Sequence, residues 1–131
     1  MNRDWELAER RAKWSPGLCR WCLGPVAPPR QTYCSPTCIH EWKMRSSASY
    51  ARSKVKKRDR GVCAGCGAVC GDGSWEADHV VALEEGGTGA MSNLQTLCSG
   101  RLRGCHYEKT KEHARRRAER RRNPGSDSGA A

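Results

Sequence analysis

The sequence predicts a small α+β fold held together by zinc rather than by a large apolar core. Three observations carry that expectation. Only 37% of the 131 residues are hydrophobic and none is Phe, so one extensive core is excluded. Nine cysteines are present, eight of them in two sets of four: Cys19, Cys22, Cys34 and Cys38, then Cys63, Cys66, Cys98 and Cys105. Around the second set the pattern reads strand, loop, strand, helix.

The cysteines are read through compartment. The N-terminus, Met1-Asn2-Arg3-Asp4, is charged where a signal peptide would need an apolar run, and no apolar segment approaches membrane-spanning length. A cytoplasmic protein is expected, nucleoid-associated if bacterial, with no membrane contact. In a reducing cytosol tight cysteine pairs are zinc ligands more often than disulfides, and an odd total leaves no complete pairing. Four thiolates satisfy tetrahedral zinc, and a two-residue gap lets both sulfurs of a pair reach one ion. Two structural Zn2+ ions are therefore expected. Folding units below about 80 residues commonly rely on such a metal. Cys70 is left over.

Each segment follows from local chemistry. Residues 1–17 predict a short charged helix ended by Ser15-Pro16-Gly17, a peripheral segment with no assigned function. Residues 18–60 form the first zinc finger and a basic connecting helix. Ser35-Pro36 reads as an N-cap followed by proline at the first helical position, which puts Cys38 in an opening turn. Ile39, Trp42, Met44, Ala48, Ala51 and Val55 recur at helical spacing until Gly61, and the serines at 46, 47 and 49 are positioned to break the helix in two. This stretch lacks linker composition, so the two units should pack together, with a boundary near residue 60. Residues 61–122 carry the second unit: a Cys63-x2-Cys66 knuckle, a strand within 74–83, a turn containing Gly86, Gly87 and Gly89, a strand at 94–97, and a basic helix after Gly104. Residues 123–131 have the composition of a disordered tail. The five tryptophans are expected as small-core anchors.

The formal net charge is +10, concentrated in Lys54, Lys56, Lys57 and Arg58 and again in Arg115, Arg116 and Arg117. Such clusters neutralise phosphates and release counterions, although either alone equally describes a solvated helix face. DNA is the expected partner; no feature speaks to oligomeric state.

Between the clusters stand Asp78-His79, Asn93 and Cys105-His106. A divalent ion on a carboxylate and an imidazole stabilises charge on a phosphate, while a second, neutral imidazole accepts a proton from attacking water. Cys105 and His106, adjacent on a helix, point about 100° apart and can serve two different metals. Strand alternation puts Asp78 and His79 on opposite faces, so a twist or bulge is expected there if both are to serve one phosphate. Asn93 alone reads better as a turn residue after Ser92. His40 and His113 read as helix-surface residues, and Glu84 and Glu85 as turn residues.

Asp78-His79, Asn93 and Cys105-His106-Tyr107-Glu108-Lys109-Thr110, with the Cys63-x2-Cys66 knuckle, resemble the HNH (ββα-metal) endonucleases over roughly residues 60–113. The resemblance implies a treble-clef-like ββα-metal core that hydrolyses DNA phosphodiesters. It implies His79 as general base, Asp78 and His106 as ligands of a catalytic Mg2+ or Mn2+, and Asn93 as the residue that fixes the loop orienting the base. One departure is the six residues between Cys98 and Cys105, expected as a loop carrying Arg101 and Arg103 toward substrate. Tyr33-Cys34-Ser35-Pro36-Thr37-Cys38 with Cys19-x2-Cys22 is similar to small bacterial zinc fingers such as that of the gyrase-inhibitor zinc protein. Finger, then Arg45-Ser46-Ser47-Ala48-Ser49-Tyr50-Ala51-Arg52, then core is similar to the C-terminal nuclease module of annealing helicases that carry a Ran-binding-type zinc finger. A DNA substrate follows from that likeness; fork specificity does not. The alternatives are a non-catalytic zinc-finger DNA-binding module and a protein-binding zinc module that regulates a DNA enzyme. A pure binder needs neither Asp78 nor His79.

Overall fold

The computed structural model describes residues 4–29, 32–99 and 104–122. Its elements are α1 (Trp5–Lys13), α2 (Pro36–Ser46), α3 (Ala48–Asp59), β1 (Trp75–His79), β2 (Leu94–Cys98) and α4 (Cys105–Arg122). Two 3₁₀ turns, Leu83–Glu85 and Met91–Asn93, lie between the strands. Among the described residues no helix is long and apolar enough to cross a membrane.

Helix boundaries fall where side chains satisfy free backbone groups. The Ser35 hydroxyl accepts from the Cys38 N–H, with Pro36 in the first turn, as the local pattern predicts. The serine-rich stretch does divide the connecting helix. The Ser47 N–H donates to the Lys43 carbonyl and closes α2, while its hydroxyl accepts from the Tyr50 N–H and opens α3. Arg60, in the left-handed region at φ 53°, ends α3.

β1 and β2 form an antiparallel pair in unbroken register, from Trp75 opposite Cys98 to His79 opposite Leu94. Trp75 joins Met44, Val55 and Leu94 in the core, with Tyr50, Ala51, Cys70, Ala77 and Met91 packed around them. A two-stranded sheet is marginal alone, so α3 supplies the cover that one face needs. Buried Thr96 donates to Asp59 Oδ2 at 2.9 Å, and Arg58 reaches the Met91 carbonyl at 2.7 Å, pinning α3 to β2 and to the turn before it.

Two expectations about organisation change. The core runs across residue 60, since Met44 and Val55 pack on Trp75 and Leu94, so the connecting helices are part of the second unit's core. The N-terminal helix is not peripheral. Leu7 is fully buried, and Asp4 and Glu6 are each 6% exposed. The Asp4 carboxylate caps α1 by accepting from the Glu6 and Leu7 N–H groups at 2.9 and 3.2 Å. Glu6 receives Arg45 of α2 at 3.0 Å, and the Arg10 and Arg45 guanidinium carbons lie 3.6 and 4.1 Å from the centre of the Trp21 ring. Cation–π stacking thus ties the first cysteine unit to both helices.

Candidate active site

The two cysteine sets converge as their spacing predicts. In each, four Sγ atoms lie within 4.8 Å of one another. Sulfurs of a tetrahedral zinc site with bonds of 2.3 Å are about 3.8 Å apart. Cys22–Cys34 and Cys34–Cys38 are separated by 3.5 Å, and Cys66–Cys98 by 3.8 Å. Both sets therefore fit zinc. Burial works against ionising Cys63, but the N–H groups of Cys66, Cys98 and Gly65 outweigh it and bring the thiol down to about 6. Its neighbours Cys98 and Cys63 push Cys105 up to about 12, the conflict that a bound cation relieves. Cys70 stands outside the set, its thiol raised by burial and then by the charges of Cys63, Cys98 and Cys66.

The six-residue departure does not displace the last helix. A Cβ at Gly104 would collide with the Cys98 carbonyl, and the Cys105 N–H donates to Cys98 Sγ at 3.3 Å, so the two ends of the insertion meet. Arg101 and Arg103 lie outside the described residues.

With Cys105 fixed, His106 turns toward the sheet. Its Nε2 is 3.7 Å from Asp78 Oδ1, close enough for one ion to bridge a hard carboxylate and an imidazole. Lys109, one turn further on, contacts Asp78 Oδ2 and the His79 carbonyl and reaches the Val80 carbonyl at 3.2 Å. Gln95 Nε2 donates to the same Oδ2 at 3.3 Å. The sequence motif contains Lys109, but nothing in spacing alone gives it these partners.

Of the twist or bulge expected at Asp78-His79, the unbroken register excludes the bulge. The two residues do alternate: Asp78 faces α4, and His79 continues the Trp75-Ala77 face. His79 can still border the Asp78 side because the strand ends with it. Residue 79 is part of the lining of a cleft of about 430 Å³ shared with Asp78, Lys109, His113 and Arg116. It also lines a second cavity, of about 430 Å³, with Asp4, Arg45 and Gly89. Burial holds the imidazole below its ordinary value; the charges of Asp78 and Asp4 raise it and Lys109 lowers it, leaving it down overall.

Asn93 spans the loop after the strand. Its Oδ1 accepts from the Val81 N–H at 2.9 Å, and its Nδ2 donates to the Val81 and Thr88 carbonyls at 3.0 and 2.6 Å. All of its near partners belong to the loop, which is more than a plain turn residue would arrange. The same loop is gripped from the N-terminus. Trp5 Nε1 donates to the Gly87 carbonyl at 2.8 Å, and Glu6 Oε1 accepts from the Gly89 N–H at 2.9 Å. A Cβ at Gly89 would stand 2.6 Å from Arg45 Cγ, so the approach requires glycine.

The basic residues divide by what they touch. Arg58 is engaged by Asp59 and by the Met91 and Leu94 carbonyls, which makes it part of the scaffold. Lys56 pairs with Asp72 at 2.8 Å, Lys57 is exposed, and Lys54 lies 5.2 Å over the Tyr50 ring. Arg115 bridges Glu112 and Glu119, while Arg116 and Arg117 face Glu85 and Glu84 at 3.9 and 3.6 Å. These exposed pairs are weak enough for a polyanion to replace. His113 is clasped rather than free on the helix surface: Nε2 meets Glu84 at 2.6 Å and Nδ1 meets Glu85 at 2.7 Å.

Comparison with known proteins places part of the chain beside a family. The HNH endonuclease family model matches residues 63–112. Similar curated proteins are the DNA annealing helicase and endonuclease ZRANB3 of Mus musculus, 28% identical over 80% of this chain, and of Homo sapiens, 26% identical over the same share. The Bos taurus protein is 27% identical over 84% of the chain. The chain spans only 14 to 15% of the length of these relatives. No solved structure matches it. From Cys63 through the first turns of α4, the chain therefore carries a domain of the HNH endonuclease family.

Proposed function

We propose that this chain is a metal-dependent endonuclease that hydrolyses DNA phosphodiester bonds. The observation that carries it is the 3.7 Å approach of Asp78 Oδ1 to His106 Nε2 beside a half-buried His79. DNA enters from the names of the relatives, which are DNA helicases and endonucleases, and from the net charge of +10. A divalent ion such as Mg2+ or Mn2+ at Asp78 and His106 would supply Lewis-acid stabilisation of the charge that develops on the phosphate and on the departing oxygen.

The chain's own groups do the rest. His79, held neutral by burial, takes a proton from water as the water oxygen bonds to phosphorus. The bond from phosphorus to the 3′ oxygen breaks in line and that oxygen takes a proton from solvent, leaving a 5′ phosphate and a 3′ hydroxyl. Asn93 keeps residues 81–88 in place behind the base. Cys63, Cys66, Cys98 and Cys105 hold α4, and hence His106, at the sheet. Lys54, Lys57, Arg116 and Arg117 supply cationic surface for the phosphate backbone.

The test is plasmid nicking by purified zinc-loaded protein with Mg2+ or Mn2+. Cleavage is expected to stop on chelation and to fall by about 10³-fold or more in His79→Ala, as for loss of a general base. Absence of nicking in the wild type, or nicking that survives both treatments, would refute it.

A further inference from the structure

The hydrolysis outlined above gives Lys109 no task, although its ammonium lies inside the cleft with a side chain only 30% exposed. An ammonium has three N–H donors. Here three acceptors at the end of β1 meet it: Asp78 Oδ2, the His79 carbonyl and the Val80 carbonyl. That use of its capacity leaves little for a phosphate and argues against a simple backbone clamp. The ladder between the strands ends at the His79–Leu94 pair, so the carbonyls at this point need a donor from outside the sheet. Lys109 is that donor.

We propose that Lys109 is a positioning residue, which turns Asp78 to present Oδ1 to His106 and fixes the His79 peptide while weakening divalent-ion binding at the same carboxylate. This role rests on the metal site proposed above. The terminal torsion of Asp is broad and nearly two-fold, so a lone carboxylate would not choose between its oxygens. Lys109 and Gln95 both donate to Oδ2, and Oδ1 is the oxygen that faces His106. His106 and Lys109 are three apart on α4 and share one helix face, so the cysteine set that fixes the first also fixes the second. The cost is electrostatic: a unit positive charge sits directly on the group that must attract a dication.

Mn2+ affinity separates this role from a merely structural one, because loss of structure cannot tighten binding. Zinc-loaded wild type, Lys109→Met, Lys109→Arg and His106→Ala are titrated with Mn2+, free ion being read by electron paramagnetic resonance, and cleavage is measured at Mn2+ saturation. Lys109→Met is expected to bind Mn2+ about tenfold more tightly, a charge effect reduced by partial solvent exposure. Its saturated cleavage rate should nevertheless fall by about a hundredfold, the scale of a 1 Å misplacement. Unchanged or weaker affinity, or tighter affinity with the wild-type rate, overturns the proposal. Should Lys109→Met lose its zinc, Lys109→Arg decides. It keeps the charge but not the three-way geometry, so Mn2+ affinity should stay within about threefold of wild type while the rate falls. A wild-type rate, or a marked rise in affinity, in Lys109→Arg refutes the role. If His106→Ala leaves Mn2+ binding intact, the metal site itself is wrong and the failure belongs to the nuclease mechanism rather than to Lys109.

Discussion

Truncating Glu6 to alanine removes a carboxylate with three attachments. Its oxygens receive Arg45 Nε and Nη2 at 3.0 and 3.2 Å, and Oε1 also accepts from the Gly89 N–H at 2.9 Å. The Arg45 and Glu6 side chains are 3% and 7% exposed, so this is a buried pair. Removing one partner of such a pair costs about 3–5 kcal/mol, and an orphaned buried N–H adds about 1–3 kcal/mol. Two contacts offset part of that: Glu41 still accepts from Arg45 Nη1 at 2.7 Å, and the Trp21 ring still faces the guanidinium at 4.1 Å. The net expectation is the lower end, about 3 kcal/mol. With a urea m-value of about 2 kcal/mol/M, the unfolding midpoint should fall by about 1.5 M. Tryptophan fluorescence in buffered zinc measures it. Burial alone would raise the Glu6 carboxyl, but the hydrogen bonds from Arg45 and Gly89 and the charges of Arg45 and Arg10 outweigh it and leave it below the usual carboxylate value. With the folded value depressed, the stabilisation is complete above the unfolded value of about 4.3 and is lost as pH falls through the folded value. The difference between wild type and Glu6→Gln should therefore shrink as the pH is lowered from about 5 to 3. A midpoint shift below about 0.5 M at neutral pH would show that α1 is not part of the cooperative unit.

Three further outcomes are expected. In the pH profile of kcat/KM, the acid limb should lie below the ordinary histidine value of about 6.5 because burial disfavours protonated His79, and Asp4→Asn should move it lower; a limb above 6.5 contradicts the assignment. Asn93→Ala loses three hydrogen bonds to the loop and should cost about 2–3 kcal/mol in urea unfolding, with cleavage reduced more than DNA binding. Metal analysis should find two zinc ions per chain, one lost in Cys19→Ser and the other in Cys63→Ser, and retention of both in either variant would exclude these sites.

What could be read from sequence was what local chemistry decides. Ser35-Pro36 announced a helix start because a hydroxyl cap and a proline act within one turn. The cysteine sets were legible because thiolate spacing near a metal is constrained, and the approach of Asp78 to His106 because Cys105 anchors the neighbouring position. The docking of α1 was not legible. Glu6 finds Arg45 39 positions away and Gly89 83 positions away, and no periodicity encodes such a meeting. Nor were the partners of Arg58 legible, because a count of cations does not reveal which ones spend donors on carbonyls. The bulge was expected on the assumption that Asp78 and His79 had to share a face. The register runs unbroken instead, and the strand ends at His79, a residue that belongs to the lining of both cavities.

The last helix shows why metal and charge carry so much of this fold. No residue of Cys105–Arg122 is buried, so apolar burial cannot be what holds α4 to the sheet. Its closest attachments are instead Cys105 in the thiolate set, Lys109 on the end of β1, and His113 between Glu84 and Glu85, with longer pairs from Arg116 and Arg117 beyond them. These lie on successive turns and all reach the segment from 63 to 98, so each fixes the helix's rotation as well as its distance. An apolar stripe would tolerate small rotations, since burial is non-directional. Three directional contacts tolerate few, and His106 sits between the first two. A polar helix face is thus better suited to holding an imidazole 3.7 Å from Asp78 than a greasy one would be. The corollary is that the alignment depends on groups that titrate or bind metal: with zinc in the cysteine set as proposed, chelation should loosen the end of α4 that carries His106 and abolish the geometry proposed for hydrolysis.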